Sequence, residues 1–502
     1  MAGRGFDSTA RGFDSTARTF DSTTRGGFDS TSRHPPQPAK TNPFHQIRLR
    51  EFGRERQFLR GADPAAVPKA YFTPSLKEIC AQVIAATFED QTDLDKEKEE
   101  EPRLSAELRH LITDQLRTDL PLEVCVPRVN VPEYWKARCE ARWSVGQLAE
   151  YTGSMSLEPP AKGGWKRVFL ERHHEEMLMS LERTTATEAD EQALGKFCAL
   201  CGTEIYAVRL SRQRCHFDIN EMYQRLRHME EFAVSFGVLN ANVAVTPDMI
   251  GMKQQDALHI QKVLRASRCL TRLALPENEI DDDLCRAVVA GLVHNTTLRH
   301  LDLSHNRIGD VGAGAVGLVL LQQELVLETL DLGDNEIRVA GAAAIADGLA
   351  VTRHLHTLSL RLNRLGDEGG EMVILAAAEN NKTLTSLDLS NNDLGMAAAQ
   401  AIGRLATTTN GASKLTHLNV SCNAFGPECG QALRDAAQLS RTLLSLDTRR
   451  SGVGEDCEAA IAAEMQARVS REHLGHVARK QREVSDEVER VVTDRIRKSH
   501  GS

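Results

Sequence analysis

Hydrophobic and polar positions in the second half of the chain follow one pattern, Leu-x-x-Leu-x-Leu-x-x-Asn. Counted from the first leucine, copies begin at intervals of 28 to 31 residues, at Leu270, Leu298, Leu327, Leu355, Leu384, Leu415 and Leu443. The alternating apolar part predicts a short strand, and the Gly- and Ala-rich stretch that follows it, such as GAAAIADGLA at 341–350, predicts a helix. The pattern therefore predicts an α/β solenoid with one strand and one helix per repeat.

The leucines explain why the unit is repeated. Strand side chains alternate, so the leucines of one unit point inward and have nothing to pack against until neighbouring units stack. This is the signature of a leucine-rich-repeat solenoid, and repeats of 28–31 residues resemble the ribonuclease-inhibitor type. Weaker copies at 205–210 and 229–234 keep the apolar pattern without the asparagine, so we expect them to extend the sheet toward the N-terminus.

An asparagine follows the strand in six of the seven repeats. A carboxamide both donates and accepts hydrogen bonds, so a stacked column of asparagines can pair turn backbone groups that would otherwise be buried without partners. The seventh repeat has Ser451 at this position. The predicted structural ladder consists of Asn278, Asn306, Asn335, Asn363, Asn392 and Asn423.

Acidic residues recur between the last two apolar positions of the strands, where the side chain points to the concave surface. The column reads Ala274, Asp302, Asp331, Ser359, Asp388, Asn419 and Asp447. Adjacent strands lie about 4.8 Å apart, inside a Debye length of about 8 Å, so the aspartates reinforce one another's field. Arg361 and Arg449 stand two positions further on and compensate part of it. We expect Asp302, Asp331, Asp388, Asp447, Arg361 and Arg449 to form a partner-binding surface for a basic segment; solvated aspartate without function is the alternative.

Composition changes divide the chain into four parts. Residues 1–45 contain four FDST units and a Pro-rich linker, and one Phe per unit among small polar residues predicts a disordered arm. Residues 46–202 predict a helical domain, 203–470 the solenoid, and 471–502 an amphipathic C-terminal helix with its tail. That helix has an apolar stripe that either packs on the last repeat or pairs with another chain.

The predicted helical domain contains two groups of interest. All three tryptophans lie at 135–165 among arginines, which favours an aromatic core covered by arginine stems over an exposed partner site. Cys198 and Cys201 have the spacing of a zinc or redox pair, but the nearby Cys215 and His216 lack ligand spacing. Cysteines that fill core space are therefore favoured over a metal site, and no cofactor is predicted.

Charge and sequence motifs argue against a nucleic-acid-binding protein, a membrane protein and an enzyme. The net charge of −9 gives no overall basic field for nucleic acid, and no apolar run reaches the length of a membrane span. With no secretory signal at its start, the chain is expected in the cytoplasm or on the cytoskeleton. The phosphate-binding Gly-Lys-Ser/Thr loop, His-Glu-x-x-His and Gly-x-Ser-x-Gly motifs are missing from the sequence, which argues against an enzyme.

Four segments together resemble a known family: LPLEVCVPRVNVPEYWKARCEARW, GGWKRVFLERHHEEML, the repeats with LRLNRLGDEGG, and LLSLDTRRSGVGEDCE. This is the t-complex-associated testis-expressed protein 1 family, subunit 5 of the nexin–dynein regulatory complex of motile cilia. The resemblance extends from about residue 70 to 470 and is most specific in the segment 134–172, which contains the tryptophans and arginines. The FDST arm and the run DLDKEKEEEP at 93–102 lie outside the family pattern.

The resemblance implies a non-enzymatic scaffold subunit of the cilium or flagellum axoneme. Such a subunit links outer doublets and regulates dynein-driven motility through contacts with other subunits of the complex, with dynein arms and doublet microtubules as further candidate partners. It implies no catalytic residues, cofactor, nucleic acid or membrane. Two alternatives remain: a GTPase-activating protein of the Ran type, which uses similar repeats, and a cytosolic inhibitor or sensor module.

Overall fold

The computed structural model describes residues 75–89, 106–152, 158–181, 185–237, 249–407 and 413–471. The FDST arm and nearly all of the predicted C-terminal helix lie outside these residues. The chain divides into two compact units between Val83 and Ile84. The first unit is described only over 75–83, where helix α1 begins, and the second contains everything discussed below.

In the described residues, seven helices precede the sheet. They are α1 (Leu76–Ala86), α2 (Ala106–Asp114), α3 (Leu122–Arg128), α4 (Pro132–Arg142), α5 (Val145–Thr152), α6 (Gly164–Met179) and α7 (Glu188–Cys201). Helix α7 begins with a capping box, in which the Thr187 hydroxyl accepts from the Asp190 N–H and the Asp190 carboxylate accepts from the Thr187 N–H.

Strands and helices then alternate to the end of the repeats. The elements are β1 (Ala207–Gln213), α8 (Ile219–Arg225), β2 (Glu231–Phe236), α9 (Gln254–Ala266), β3 (Arg272–Ala274), α10 (Asp282–Val289), β4 (His300–Asp302), α11 (Asp310–Leu320), β5 (Thr329–Asp331), α12 (Val339–Val351), β6 (Thr357–Ser359), α13 (Gly366–Leu375), β7 (Ser386–Asp388), α14 (Met396–Thr407), β8 (His417–Asn419), α15 (Pro427–Leu439) and β9 (Ser445–Asp447). A π-helical turn, Ala376–Asn380, continues α13. Residues 455–471 are helical, so the chain leaves the last strand as a helix before the predicted boundary at 471.

The strands form one parallel sheet in sequence order from β1 to β9. Register is constant across the repeats, so Leu301, Leu330, Leu358 and Leu387 pair in a row and are at most 2% exposed. Strands β1 and β2 pair in the same parallel sense, which confirms that the weaker copies extend the sheet. The α/β leucine-rich-repeat solenoid predicted from the leucine pattern is thus the observed fold.

Glutamates of helix α6 cover the free edge of β1. Glu171 Oε1 accepts from the N–H groups of Tyr206 and Ala207 at 2.8 and 2.7 Å, and Glu175 Oε1 accepts from the N–H of Arg209 at 2.8 Å. Glutamates four apart on a helix rise about 6 Å and residues two apart on a strand about 6.6 Å, so the two spacings match. An uncovered edge strand would present these N–H groups to another chain. Helix α6 therefore closes the N-terminal end of the sheet.

The tryptophans form the core beside this edge. Trp135, Trp143 and Trp165 are each at most 6% exposed. The Arg138 guanidinium lies over the Phe169 ring at 4.8 Å and donates to the Leu120 carbonyl at 2.7 Å. The prediction of an aromatic core covered by arginines is confirmed.

Candidate partner-binding surface

The predicted acidic column forms a continuous row across the sheet. Strand pairing places Asp302 beside Asp331, Asp331 beside Ser359, and Ser359 beside Asp388. Asn419 then separates Asp388 from Asp447. All members are partly exposed. Constant register therefore brings together side chains that are 28 or more residues apart in sequence.

Each acid in the row also pairs with its own turn. Asp302 Oδ1 accepts from the Ser304 N–H at 2.9 Å, and Asp388 Oδ1 accepts from the Ser390 N–H at the same distance. Asn419 makes the equivalent bond to the Ser421 N–H at 3.1 Å through its amide oxygen. These side chains stabilise the backbone where it leaves the strand. Because an amide does this as well as a carboxylate, the turn requires an oxygen and not a charge.

The two arginines behave differently from each other. Arg449 forms an ion pair with Asp447, with Nη2 and Oδ2 2.5 Å apart, and this hydrogen bond lowers the pKa of the Asp447 carboxyl. Arg361 instead directs Nη2 toward His305 Nε2 at 3.4 Å, and His305 in turn contacts Asp334 at 2.6 Å. In the described part of the chain, no ion pair joins Arg361 to an aspartate of the row. Among the described residues, Asp302, Asp331 and Asp388 are thus the acids of the row without a direct ion pair.

The asparagines lie below this surface and connect consecutive repeats. Asn335 is typical: Oδ1 accepts from the Ile308 N–H of the preceding repeat at 3.0 Å, and Nδ2 donates to the carbonyls of Leu303, Leu332 and Gly333 at 3.0 to 3.3 Å. Members of the set are at most 9% exposed and bond in the same sense: Asn278, Asn306, Asn335, Asn363, Asn392 and Asn423. The residue before the asparagine has a left-handed backbone in each repeat, for example φ 55° at Asp334.

A second repeated contact joins the helices and was missed from sequence. Asp282 Oδ1 accepts from the N–H groups of Gly309 and Gly312, which open the helix of the next repeat. Asp310 does the same for the N–H groups of Arg338 and Gly341. The carboxylates thus cap the neighbouring helix, where negative charge is favourable. An aspartate two residues after the buried Ile of the turn is the signal that sequence reading could have used.

A cavity of about 520 Å³ opens where the sheet meets helix α5. Its lining includes Tyr151, Arg172, Glu175 and Arg209, and both guanidinium groups lie within 6 Å of the Tyr151 ring. Arg209 is held by Glu231, with Nη2 and Oε2 2.6 Å apart. The arginines are thus engaged by protein groups.

Cys198 and Cys201 are buried in the helical part. The Cys198 thiol lies 3.7 Å from His174 Nε2, and the Cys201 thiol donates to the Phe197 carbonyl at 3.0 Å. Burial raises the pKa of both thiols, that of Cys198 to about 11. Within the described residues, no group of three or more His, Cys, Asp or Glu side chains has metal-binding geometry. The same residues contain no helix long and apolar enough to cross a bilayer.

Comparison with known proteins agrees with the predicted repeats. The family described as Leucine Rich repeat matches residues 294–317, 326–346, 352–373, 380–403 and 411–433. Dynein regulatory complex subunit 5 of Mus musculus is 28% identical over 271 residues, 48% of this chain and 50% of that protein. The subunit of Chlamydomonas reinhardtii is 31% identical over 212 residues, 42% of this chain and 49% of that protein.

The chain is also similar to a leucine-rich-repeat protein outside the dynein regulatory complex. The ribonuclease inhibitor of Sus scrofa is 28% identical over 210 residues, 41% of this chain and 45% of that protein. The chain spans about half the length of the curated relatives it matches. These matches confirm the resemblance seen in the sequence: the chain is a leucine-rich-repeat protein similar to dynein regulatory complex subunit 5.

Proposed function

We propose that this chain is a non-enzymatic scaffold subunit of an axonemal dynein regulatory complex, where it links outer doublets and regulates dynein-driven motility. Relatives named as subunits of that complex support this assignment. The partners are other subunits of the complex, with dynein arms and doublet microtubules as further candidates. The location is the cilium or flagellum axoneme.

The observation that carries the proposal is the row of aspartates on the sheet. Asp302, Asp331 and Asp388 project from one face at strand spacing, and the described residues give them no cationic partner. Since Asn419 forms the same turn without charge, the charge itself is available for binding. The row is the surface that receives a basic segment of a neighbouring subunit, because concave solenoid faces are extended binding surfaces.

The experiment replaces all three aspartates by asparagine in the full-length chain. Asp302→Asn, Asp331→Asn and Asp388→Asn retain size and the turn bonds, so thermal stability should be unchanged. Each surface ion pair contributes roughly 0.2–1 kcal/mol, so losing three should weaken partner capture about tenfold and reduce its dependence on salt. Capture is measured from extracts of axonemes with tagged protein at several salt concentrations.

The matched control makes the same charge change on exposed helix positions. Asp283→Asn, Asp347→Asn and Asp435→Asn leave the row intact and should leave capture unaffected. Equal capture by the row variant and the native chain would refute binding through the aspartates. Recovery of tagged chain only in the detergent-soluble fraction of ciliated cells would refute the axonemal scaffold, and stimulation of GTP hydrolysis would favour the GTPase-activating alternative.

A further inference from the structure

A second row of side chains runs along the turns that enter the strands. In four consecutive repeats a buried polar residue is followed at once by an exposed cation: Thr352–Arg353, Asn381–Lys382, Ser413–Lys414 and Ser440–Arg441. The first member of each pair is at most 8% exposed. We call Arg353, Lys382, Lys414 and Arg441 the rim cations.

The buried members fix the positions of the rim cations. Asn381 Oδ1 accepts from the N–H groups of Thr383 and Leu384 at 2.9 and 2.7 Å, and Ser440 Oγ accepts from the Leu443 N–H at 3.1 Å. Just after the cations, backbone bonds join one repeat to the next, as from the Thr385 N–H to the His356 carbonyl at 2.8 Å. Lys382 and Arg441 therefore stand on turns that buried side chains hold by hydrogen bonds.

Three of the rim cations also lie close to a helix end. Arg353, Lys382 and Arg441 follow a helical segment by two residues, where a cation is favourable near the negative helix end. Lys414 lies one residue before the buried Leu415, whereas the other three lie two residues before the equivalent leucines. Every rim cation thus lies one or two residues before the first leucine of its repeat. Among the described residues, none of the four has an acidic partner.

We propose that the rim cations bind an acidic, extended peptide segment of a partner protein. Repeats are about 4.8 Å apart at the strands and about 8–10 Å apart at the helices, so spacing at the turns lies between these values. Alternate side chains of an extended peptide are about 7 Å apart, which matches this spacing. Nucleic acid and anionic membrane fit less well, because a chain of net charge −9 with an aspartate row on the same sheet repels a large polyanion.

The test uses the full-length chain and a labelled twelve-residue peptide in which Glu alternates with Ser. The rim variant carries Arg353→Gln, Lys382→Gln, Lys414→Gln and Arg441→Gln. The control variant has the same charge change at exposed cations outside the row, Lys262→Gln, Arg286→Gln, Arg364→Gln and Arg434→Gln. Fluorescence anisotropy at 50, 150 and 300 mM salt gives the affinities, with a Gln-for-Glu peptide as the uncharged probe.

We expect the rim variant to bind at least about tenfold more weakly, the control variant within about twofold of the native chain, and the uncharged peptide not at all. Equal loss in both variants would overturn the proposal, because attraction would then depend only on total charge. A lower melting temperature of the rim variant with unchanged binding would also overturn it and leave the cations a helix-end role. Binding of phosphatidylserine vesicles or single-stranded RNA without binding of the peptide would overturn the proposal, because the partner would then be a membrane or a nucleic acid. These outcomes do not depend on whether the chain assembles in an axoneme.

Discussion

Replacing Glu175 by Gln tests how the sheet edge is closed. The Glu175 side chain is almost fully buried, and burial raises the pKa of its carboxyl from 4.5 to about 8. Arg172 lies 4.0 Å away, too far to offset the loss of hydration. The folded protein therefore holds the neutral acid at pH 7, whereas the unfolded chain ionises it.

The higher pKa of Glu175 in the folded state makes the free energy of unfolding depend on pH. Between pH 4.5 and about 8 the folded state binds one more proton than the unfolded chain, so stability declines as pH rises through that window. At about 1.4 kcal/mol per pH unit, the penalty reaches an upper bound of roughly 5 kcal/mol above pH 8. Relaxation and water entry reduce it, and we expect roughly 2–3 kcal/mol.

Glu175→Gln keeps an oxygen that accepts from the Arg209 N–H but cannot ionise. The variant should be more stable than the native chain by roughly 2–3 kcal/mol at pH 8.5, and by less than about 1 kcal/mol at pH 5. Urea denaturation followed by tryptophan fluorescence reports this part of the chain, because all three tryptophans lie in the helical segment. The exposed Glu140→Gln serves as the control and should not change the pH dependence.

Parallel pH profiles for the native chain and Glu175→Gln would refute the reasoning. Amide exchange distinguishes the hydrogen bond at the strand edge from the ionisation of the carboxyl: the Arg209 amide should stay protected in the Gln variant, since its acceptor remains. Loss of protection with an unchanged pH profile would mean that the carboxylate, and not the neutral acid, caps the strand.

Two further predictions concern the repeats. Asn335→Ala removes four hydrogen bonds and should lower the free energy of unfolding by about 3 kcal/mol. Asp331→Asn keeps its turn bond and should change the free energy of unfolding by less than about 0.5 kcal/mol. Equal urea midpoints for the two variants would contradict a stabilising role of the asparagine ladder. Leu362 has a left-handed backbone, φ 57°, and is partly exposed, and Asn391 occupies the equivalent position in the next repeat. Leu362→Asn should raise the free energy of unfolding by about 0.5–1 kcal/mol and the melting temperature with it. A lower melting temperature would mean that packing of the leucine side chain outweighs the backbone preference.

The repeat positions could be predicted because each obeys a local rule that is applied seven times. Leucine alternation determined which side chains face inward, and once parallel register was assumed the acidic row followed from counting. The orientation of Arg361 could not be obtained in this way. Counting places Arg361 diagonal to Asp331 and Asp388, but its long side chain reaches His305 instead. Rotamers of long side chains depend on neighbours in three repeats, which strand register does not determine.

The edge-closing glutamates were hidden for a different reason. Glu171 and Glu175 are four apart on a helix, a spacing equally typical of a solvated charged face. Their role depends on which strand the helix meets, and β1 lacks the asparagine that marks the later repeats. Contact between elements with different patterns carries no periodic signal, so the sequence could not distinguish a buried acceptor from a surface charge.

Repetition also explains how an acidic chain can present a basic surface. All strands are parallel, so every turn that enters a strand lies on one side of the sheet and every turn that leaves it lies on the other. A cation placed before the strand, as at Lys382, therefore accumulates with its equivalents on one rim, and an acid placed at the strand end, as at Asp388, joins a separate row. Since the two rows lie at opposite ends of the strands, they do not neutralise each other by direct contact. A partner segment that is basic and one that is acidic can thus occupy the same repeats together, and each row can be altered without disturbing the leucine core.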